Sequence, residues 1–327
     1  MRKVFAASLC ALCCFTCVAF AQDDEAALIE PKRSSFNAQV PSELEVRKTK
    51  TGHLLVKSKV NGEDAGWFIL DTGAGMSCID KTVADEMTLG EGGGVTARGV
   101  GGQAEKKLRT FDSLSLGGIS LEEGKLLELE LKRYGPLMGA DVPIAGIIGH
   151  DCFMAGVFDI DLANATVHVH DPKTFKLTES QGVWTPVKLV GRRPAVEGRI
   201  EGSEPGMLLL DTGSNEGLLV HSPTVKKLNL LEGRETGHGK VGGEGGAFKT
   251  VRTGKLKSVT LGGCEIADVP ASFAETTDGL TASDEVLATT GLKFLRNFRM
   301  IVNQSTNSIA FSRAKLPTTN PSTHPAK

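Results

Sequence analysis

The tripeptide Asp-Thr-Gly occurs twice in this chain, at Asp71-Thr72-Gly73 and Asp211-Thr212-Gly213, 140 residues apart. Each copy ends a run of apolar residues: Trp67-Phe68-Ile69-Leu70 before the first, Met207-Leu208-Leu209-Leu210 before the second. The likeness extends downstream in fixed order. Val100-Gly101-Gly102 is matched by Val241-Gly242-Gly243, and Leu116-Gly117-Gly118 by Leu261-Gly262-Gly263. Ile147-Ile148-Gly149 is matched by Thr289-Thr290-Gly291, and the alternating Val157–Asp161 by Phe298–Asn303. The offset stays between 140 and 145 throughout. A single Val-Gly-Gly could arise in any glycine-rich β protein, but a steady order of landmarks marks a duplicated unit of about 130 residues.

Each copy reads as β structure. Short segments such as Leu54–Val60, Gly66–Leu70, Ser113–Leu116 and Val157–Asp161 are rich in Val, Ile and Leu and bounded by glycine. Helical periodicity is confined to Lys81–Leu89 and Ser222–Leu231, with a turn each at Asp151–Ala155 and Lys293–Asn297. Glycine numbers 39 and aromatic content is 5%, as suits many strands joined by tight turns. The expected class is mainly β, with two tandem closed β-barrel lobes related by a pseudo-twofold axis. The first lobe is placed at 41–172 and the second at 182–315. They are joined by a linker at 173–181, where Asp171-Pro172 and Gly182 punctuate the chain.

The ends carry other signals. Arg2 and Lys3 precede the apolar Val4–Phe20, and Ala19-Phe20-Ala21 has the small-residue pattern of a cleavage site, so residues 1–21 read as a signal peptide. An exported, periplasmic or secreted protein follows, with no stable membrane insertion after cleavage. Residues 22–40 are polar and aperiodic and read as a flexible leader, and the Pro/Thr/Ser-rich 316–327 as a disordered tail. Losing Arg2 and Lys3 takes the net charge from −2 to −4, which argues against nucleic acid as a partner. Four of the seven cysteines lie in the signal, leaving Cys78, Cys152 and Cys264, an odd number on which no disulfide framework can rest. Of the seven histidines (His53, His150, His168, His170, His221, His238 and His324), only His168 and His170 have a metal-like spacing, better read as exposed strand polarity.

Chemistry converges on the two acids. A strand ending in Asp-Thr-Gly fixes the carboxyl against the core, glycine permits a tight turn after it, and the threonine hydroxyl can reach an opposing loop. If the turns meet about the pseudo-twofold axis, Asp71 and Asp211 become neighbours. Two adjacent carboxylates cannot both ionise comfortably, so they share a proton. The ionised acid can then take a proton from water while the other donates to a carbonyl oxygen, which is the requirement of amide hydrolysis without a covalent intermediate.

On these residues, together with Ala74, Gly99–Gly102 and Ile147-Ile148-Gly149-His150-Asp151, the chain resembles the aspartic peptidases, most closely the bacterial retropepsin-like group, over roughly 45–315. The resemblance implies a closed β fold per repeat, catalytic Asp71 and Asp211, and bracing by Thr72 and Thr212. It implies turns at Gly73 and Gly213, and flaps at Val100, Gly101, Gly102 and at Val241, Gly242, Gly243. It also implies that no metal or organic cofactor is needed. The second copy departs from the pattern. It has two threonines in place of Ile147-Ile148, Lys293 in place of Asp151, and Ser214 where the first copy has Ala74. The Ser214 hydroxyl is expected to make Asp211 the more acidic partner. The leading expectation is an exported endopeptidase acting on peptide or protein substrates as a monomer. The alternatives are a non-catalytic peptide-binding protein of the same fold, and a homodimer in which each repeat pairs with its twin in another chain.

Overall fold

The computed structural model describes residues 11–13, 29–242 and 248–315. Each repeat closes a six-stranded barrel. In the first lobe the ring runs through Gly102–Leu116, Ile119–Leu129, Cys78–Asp80, Ile144–Ile148, Glu63–Leu70 and Leu54–Val60, which returns to the start through Lys59–Ser115 and Val60–Leu114. In the second the same order is taken by Lys249–Leu261, Cys264–Ala274, Leu218–Val220, Ala288–Thr290, Gly206–Leu210 and Arg193–Ile200, closed by Gly198–Leu261. The two-lobed, mainly β expectation therefore holds.

Local chemistry explains the ring. Leu54–Val60 alternates buried and exposed side chains toward its end, as a strand with one solvated face does. Asn61 and Gly62 turn it into Glu63–Leu70, with φ of 50° and 82°; this pair of left-handed residues suits a two-residue hairpin whose twist matches its strands. The last four residues of the second strand are all buried, because one face meets the barrel interior and the other meets the neighbouring layer. The barrels share one continuous apolar core, in which Phe68, Phe153, Phe158, Phe273, Phe294 and Phe298 are fully enclosed.

A third, five-stranded sheet joins the lobes. The hairpin Val157–Asp161/Thr166–His170 of the first pairs with Phe298–Asn303/Ser308–Arg313 of the second through Phe158–Val302 and its neighbours, and Trp184–Pro186 forms the far edge. The pairing brings the ends of the two repeats into one hydrogen-bonded ladder within a single chain. Arg299 crosses this seam to Asp159 through Nε and Nη2, at 2.7 and 2.5 Å.

Several boundaries differ from the sequence expectation. The polar segment before the first lobe is ordered from Ile29: that side chain is buried, Arg33–Phe36 adds antiparallel to Ile119–Glu122, and Glu30 reaches Arg192 of the second lobe at 2.5 Å. Backbone pairing and one buried anchor hold this edge strand, and neither leaves a hydrophobic period in the sequence. Residues 22–28 of the expected leader lie outside the described residues. So does the 316–327 tail, and so does the expected signal segment apart from Ala11–Cys13, which pairs in parallel with Lys240–Gly242. The strand expected at Ser113–Leu116 begins at Gly102, and its partner Gly90–Gly99 was not expected: five of its ten residues are glycine, and only Val95 and Ala97 mark its buried face. The two short helices end earlier than expected, at Glu86 and Lys227, and a one-turn helix at Tyr134–Met138 was not expected. Cys152 and Cys264 are free thiols. No helix among the described residues is long and apolar enough to cross a membrane.

Candidate active site

The two Asp-Thr-Gly turns meet at the centre of the molecule. Each leaves a strand running through its barrel and is anchored by the neighbouring parallel strand: the Asp71 N–H donates to Ile148 O at 3.1 Å and the Asp211 N–H to Thr290 O at 3.0 Å. The threonines then lock turn to turn. The Thr72 N–H donates to Thr212 Oγ1 at 3.0 Å, and the Thr212 N–H to Thr72 Oγ1 at 3.1 Å. Their hydroxyls donate onward to Leu210 O at 2.9 Å and Leu70 O at 2.7 Å. All four bonds cross between lobes and all are buried.

The glycines are required by proximity. Neither Gly73 nor Gly213 has a positive φ. A Cβ on Gly73 would lie 2.6 Å from Asp211 Cγ, and one on Gly213 would overlap Asp71 Oδ2. Each glycine leaves room for the acid of the opposite lobe, which the turn-forming role read from sequence did not include.

Both carboxyls are fully buried. The Gly73 N–H donates to Asp71 Oδ1 at 2.7 Å, while the Gly213 N–H is shared between Asp71 Oδ1 at 3.1 Å and Asp211 Oδ1 at 3.0 Å. Among the described residues, the Oδ2 atom of each acid receives no N–H or hydroxyl. Burial raises the Asp71 pKa to about 6, against the pull of those two backbone donors. Asp211 is pushed well above the ordinary carboxylate range, first by burial and then by the charge of Asp71. Asp71 accepts two N–H groups and Asp211 one, so negative charge settles on Asp71. The expectation that Ser214 makes Asp211 the more acidic is thereby corrected. Ser214 Oγ takes the Glu216 N–H at 3.4 Å.

The flanking signatures differ between copies. Asp151 accepts the Ser77 N–H at 3.0 Å and the Ser77 hydroxyl at 2.6 Å, bracing the chain behind the first turn. In the second copy Lys293 is exposed and contributes its backbone N–H to Glu216 O at 2.9 Å. Glu216 is itself buried and holds the Ser272 hydroxyl at 2.7 Å. The threonines that replace isoleucine are accommodated: Thr290 Oγ1 donates to Leu209 O at 2.8 Å, and Thr289 Oγ1 lies 3.2 Å from His221 Nε2.

The expected flaps are hairpin tips. Val100 and Gly101 join Gly90–Gly99 to Gly102–Leu116, and Val100 is buried against Leu219, Val241, Val251 and Ala274 of the second lobe. Val241 and Gly242 end the strand Gly237–Gly242, whereas Gly243 lies outside the described residues. His168 and His170 stack at 6.2 Å between ring centroids, and among the described residues no group of three or more His, Cys, Asp or Glu is placed to hold a metal.

Two residues beside the acids escaped the sequence reading. His53 is wholly buried, with Nε2 at 2.9 Å from Gly213 O, and Arg193 is buried on the second lobe. Each stands 18 residues before its aspartate. Extending the repeat by one residue upstream of Leu54 would have aligned them.

Two outcomes follow from the lock and the acids. Thr212→Ala strips the Thr72 N–H and Leu70 O of their partners and should cost roughly 2 kcal/mol or more in urea unfolding. Thr212→Ser, which keeps the hydroxyl, should cost less than half of that. Both acids have raised folded-state pKa values, so their stabilising contribution is complete below the unfolded value of about 4; that of Asp71 is lost as pH climbs through about 6, and that of Asp211 as pH climbs well above the ordinary carboxylate range. Wild-type stability measured relative to an Asp71→Asn/Asp211→Asn double variant should therefore fall from pH 4 to pH 7, by up to about 1.4 kcal/mol per pH unit for each proton lost. A rise over that range would contradict the assignment.

The sequence was compared with known proteins. The family model described as aspartyl protease matches twice, over residues 56–152 and 196–287, which together span more than half of the chain. No curated protein matches it. With the two matches falling on the two barrels, and each containing one of the turns that meet at the centre, the chain belongs to the aspartyl protease family.

Proposed function

We propose that the protein is an exported aspartic endopeptidase that hydrolyses peptide bonds with a water activated between Asp71 and Asp211. The observation that carries this reading is the pair of carboxyls facing each other across the lobes, with their inner oxygens fixed by backbone N–H groups and their outer oxygens receiving no donor among the described residues. Such a pair can hold one water through its outer oxygens.

The inequality of the acids divides the labour. Asp71, favoured as the ionised partner, takes the proton from the water. Asp211, favoured as the protonated one, donates to the carbonyl oxygen of the scissile bond. The water oxygen attacks the carbonyl carbon to give a gem-diol, and a proton passes to the amide nitrogen as the C–N bond breaks. Every step exchanges protons among water, substrate and the two acids. The substrate class is an extended peptide. The edge strand Gly237–Gly242 accepts a short strand, Ala11–Cys13, as a parallel neighbour, which supports recognition by strand addition. The acids are fully enclosed with Val100 seated on the second lobe, so the hairpin carrying Val100 lifts to admit substrate.

The mature protein is expected to cleave unstructured protein, with pepstatin inhibiting. Asp71→Asn and Asp211→Asn should each remove the activity. The active form carries one proton on the pair, so the acid limb of the kcat/KM profile should lie at about 6, and activity should extend toward neutral pH. Cleavage by either Asn variant would refute the mechanism. An optimum below pH 4 would refute the protonation assignment.

A further inference from the structure

We propose that His53 and Arg193 are a pair of positioning residues that act on the two acids from corresponding places in the two lobes, His53 as a neutral donor that fixes the Asp211 turn and Arg193 as a buried cation that favours the ionised pair. The proposal rests on the reading of Asp71 and Asp211 as catalytic.

Strand register establishes the correspondence. Leu55 lies opposite Ile69 and Ala195 opposite Leu209, and both partners stand two residues before their aspartate. Two residues upstream of Leu55 and Ala195 are His53 and Arg193. Both are buried polar residues at the end of a barrel strand that flanks the strand bearing an acid. Folding does not need such residues there, because an apolar side chain would avoid the desolvation cost.

His53 belongs to the first lobe, yet it bonds the turn of the second. Gly213 O can only accept, so Nε2 carries the proton at 2.9 Å, and Nδ1 accepts from Thr51 Oγ1 at 2.8 Å. Gly213 is thus gripped at both ends. Its carbonyl is held by His53, and its N–H is the group shared by Asp71 Oδ1 and Asp211 Oδ1. Losing the His53 bond would free the one residue that orients both carboxyls. Burial lowers the His53 pKa to about 4, so the ring stays neutral through the range in which the pair works.

Arg193 is the counterpart with a charge. Its Nε donates to Val190 O at 3.0 Å, which orients the guanidinium, and its charge favours ionisation of both Asp71 and Asp211. Among the described residues, the charged side chains that act on each acid are the other acid and Arg193 of the second lobe. His53 meets the pair through Gly213 O and is neutral. His221, near Arg193, is kept neutral by burial at a pKa of about 4.

Four variants test this: His53→Gln, His53→Leu, Arg193→Lys and Arg193→Met. His53→Gln keeps an N–H for Gly213 O and should hold kcat within about threefold. His53→Leu should lower kcat about tenfold or more with KM little changed, because the bond it removes orients the acids and not the substrate. Arg193→Met should move both limbs of the pH profile, and the carboxyl titrations, upward by on the order of one unit, since a lost cation disfavours the charged acids. Arg193→Lys should restore them. Should Arg193→Met fail to fold, Arg193→Gln keeps a planar donor without the charge and carries the same expectation. Titration of the two carboxyls by carbon-13 NMR of aspartate-labelled protein requires no turnover. A shifted titration without peptide cleavage by wild type would leave the pair standing and sink the peptidase reading. Cleavage with unmoved titrations in the Arg193 variants, and with His53→Leu matching His53→Gln, would overturn the proposal.

Discussion

The reciprocal bonding of Thr72 and Thr212 is the constraint on which the rest of this molecule depends. Each threonine accepts the other's backbone N–H and donates its hydroxyl to the carbonyl before the other's aspartate. Individually such bonds contribute about 1 kcal/mol, but leaving any of the four backbone groups without a partner in this interior costs the full desolvation of that group. The lock is therefore satisfied whole or broken at several points together. It also fixes distance: only with the turns bonded this closely do Gly73 and Gly213 have to vacate the space taken by the opposite carboxyl. The same approach removes both acids from water and raises their pKa values.

Around that lock the two copies solve the same packing problem with different chemistry. Behind the first turn, the carboxylate of Asp151 ties Ser77 through two hydrogen bonds. Behind the second, Glu216 and Ser272 make the buried polar contact, and the position equivalent to Asp151 has been released to an exposed lysine. Thr290 fits an isoleucine site because its hydroxyl finds Leu209 O; without that acceptor the substitution would bury an unpaired polar group. The backbone function is conserved between the copies even where the side chains are not, since Ile148 O and Thr290 O both receive the aspartate N–H.

The parts legible in the sequence were those written in side-chain identity at fixed spacing. The repeat gave the number of lobes, and Asp71, Thr72, Gly73 and their counterparts gave the centre of the site, because close approach tolerates so few residue types there. Strands rich in β-branched and aliphatic residues, such as Leu54–Val60 and Val157–Asp161, were legible to the residue. The edge strand Arg33–Phe36 was not, because it is held by a backbone ladder with its side chains largely solvated, and the strand Gly90–Gly99 was not, because its glycines leave only Val95 and Ala97 to mark a buried face. The order of acidity was misread for a related reason. Ser214 is visible in the sequence, whereas the unequal sharing of the Gly73 and Gly213 N–H groups exists only in three dimensions.

That inequality is a consequence of duplication within one chain. Two identical chains related by an exact twofold axis give each acid the same surroundings, and any difference between them has to arise from where the shared proton happens to sit. Here the environments are unlike by construction. Asp71 accepts two backbone donors and Asp211 one. A neutral histidine stands beside one turn, and at the corresponding place in the other lobe stands a buried arginine. Once the copies are joined covalently, a substitution in one is no longer imposed on the other. The loss of Asp151's counterpart and the exchange of histidine for arginine are the kind of change that a symmetric dimer would have to accept twice. A pair with a built-in order of acidity starts each cycle with its base and its acid already assigned, whereas a symmetric pair has to break its symmetry by moving a proton.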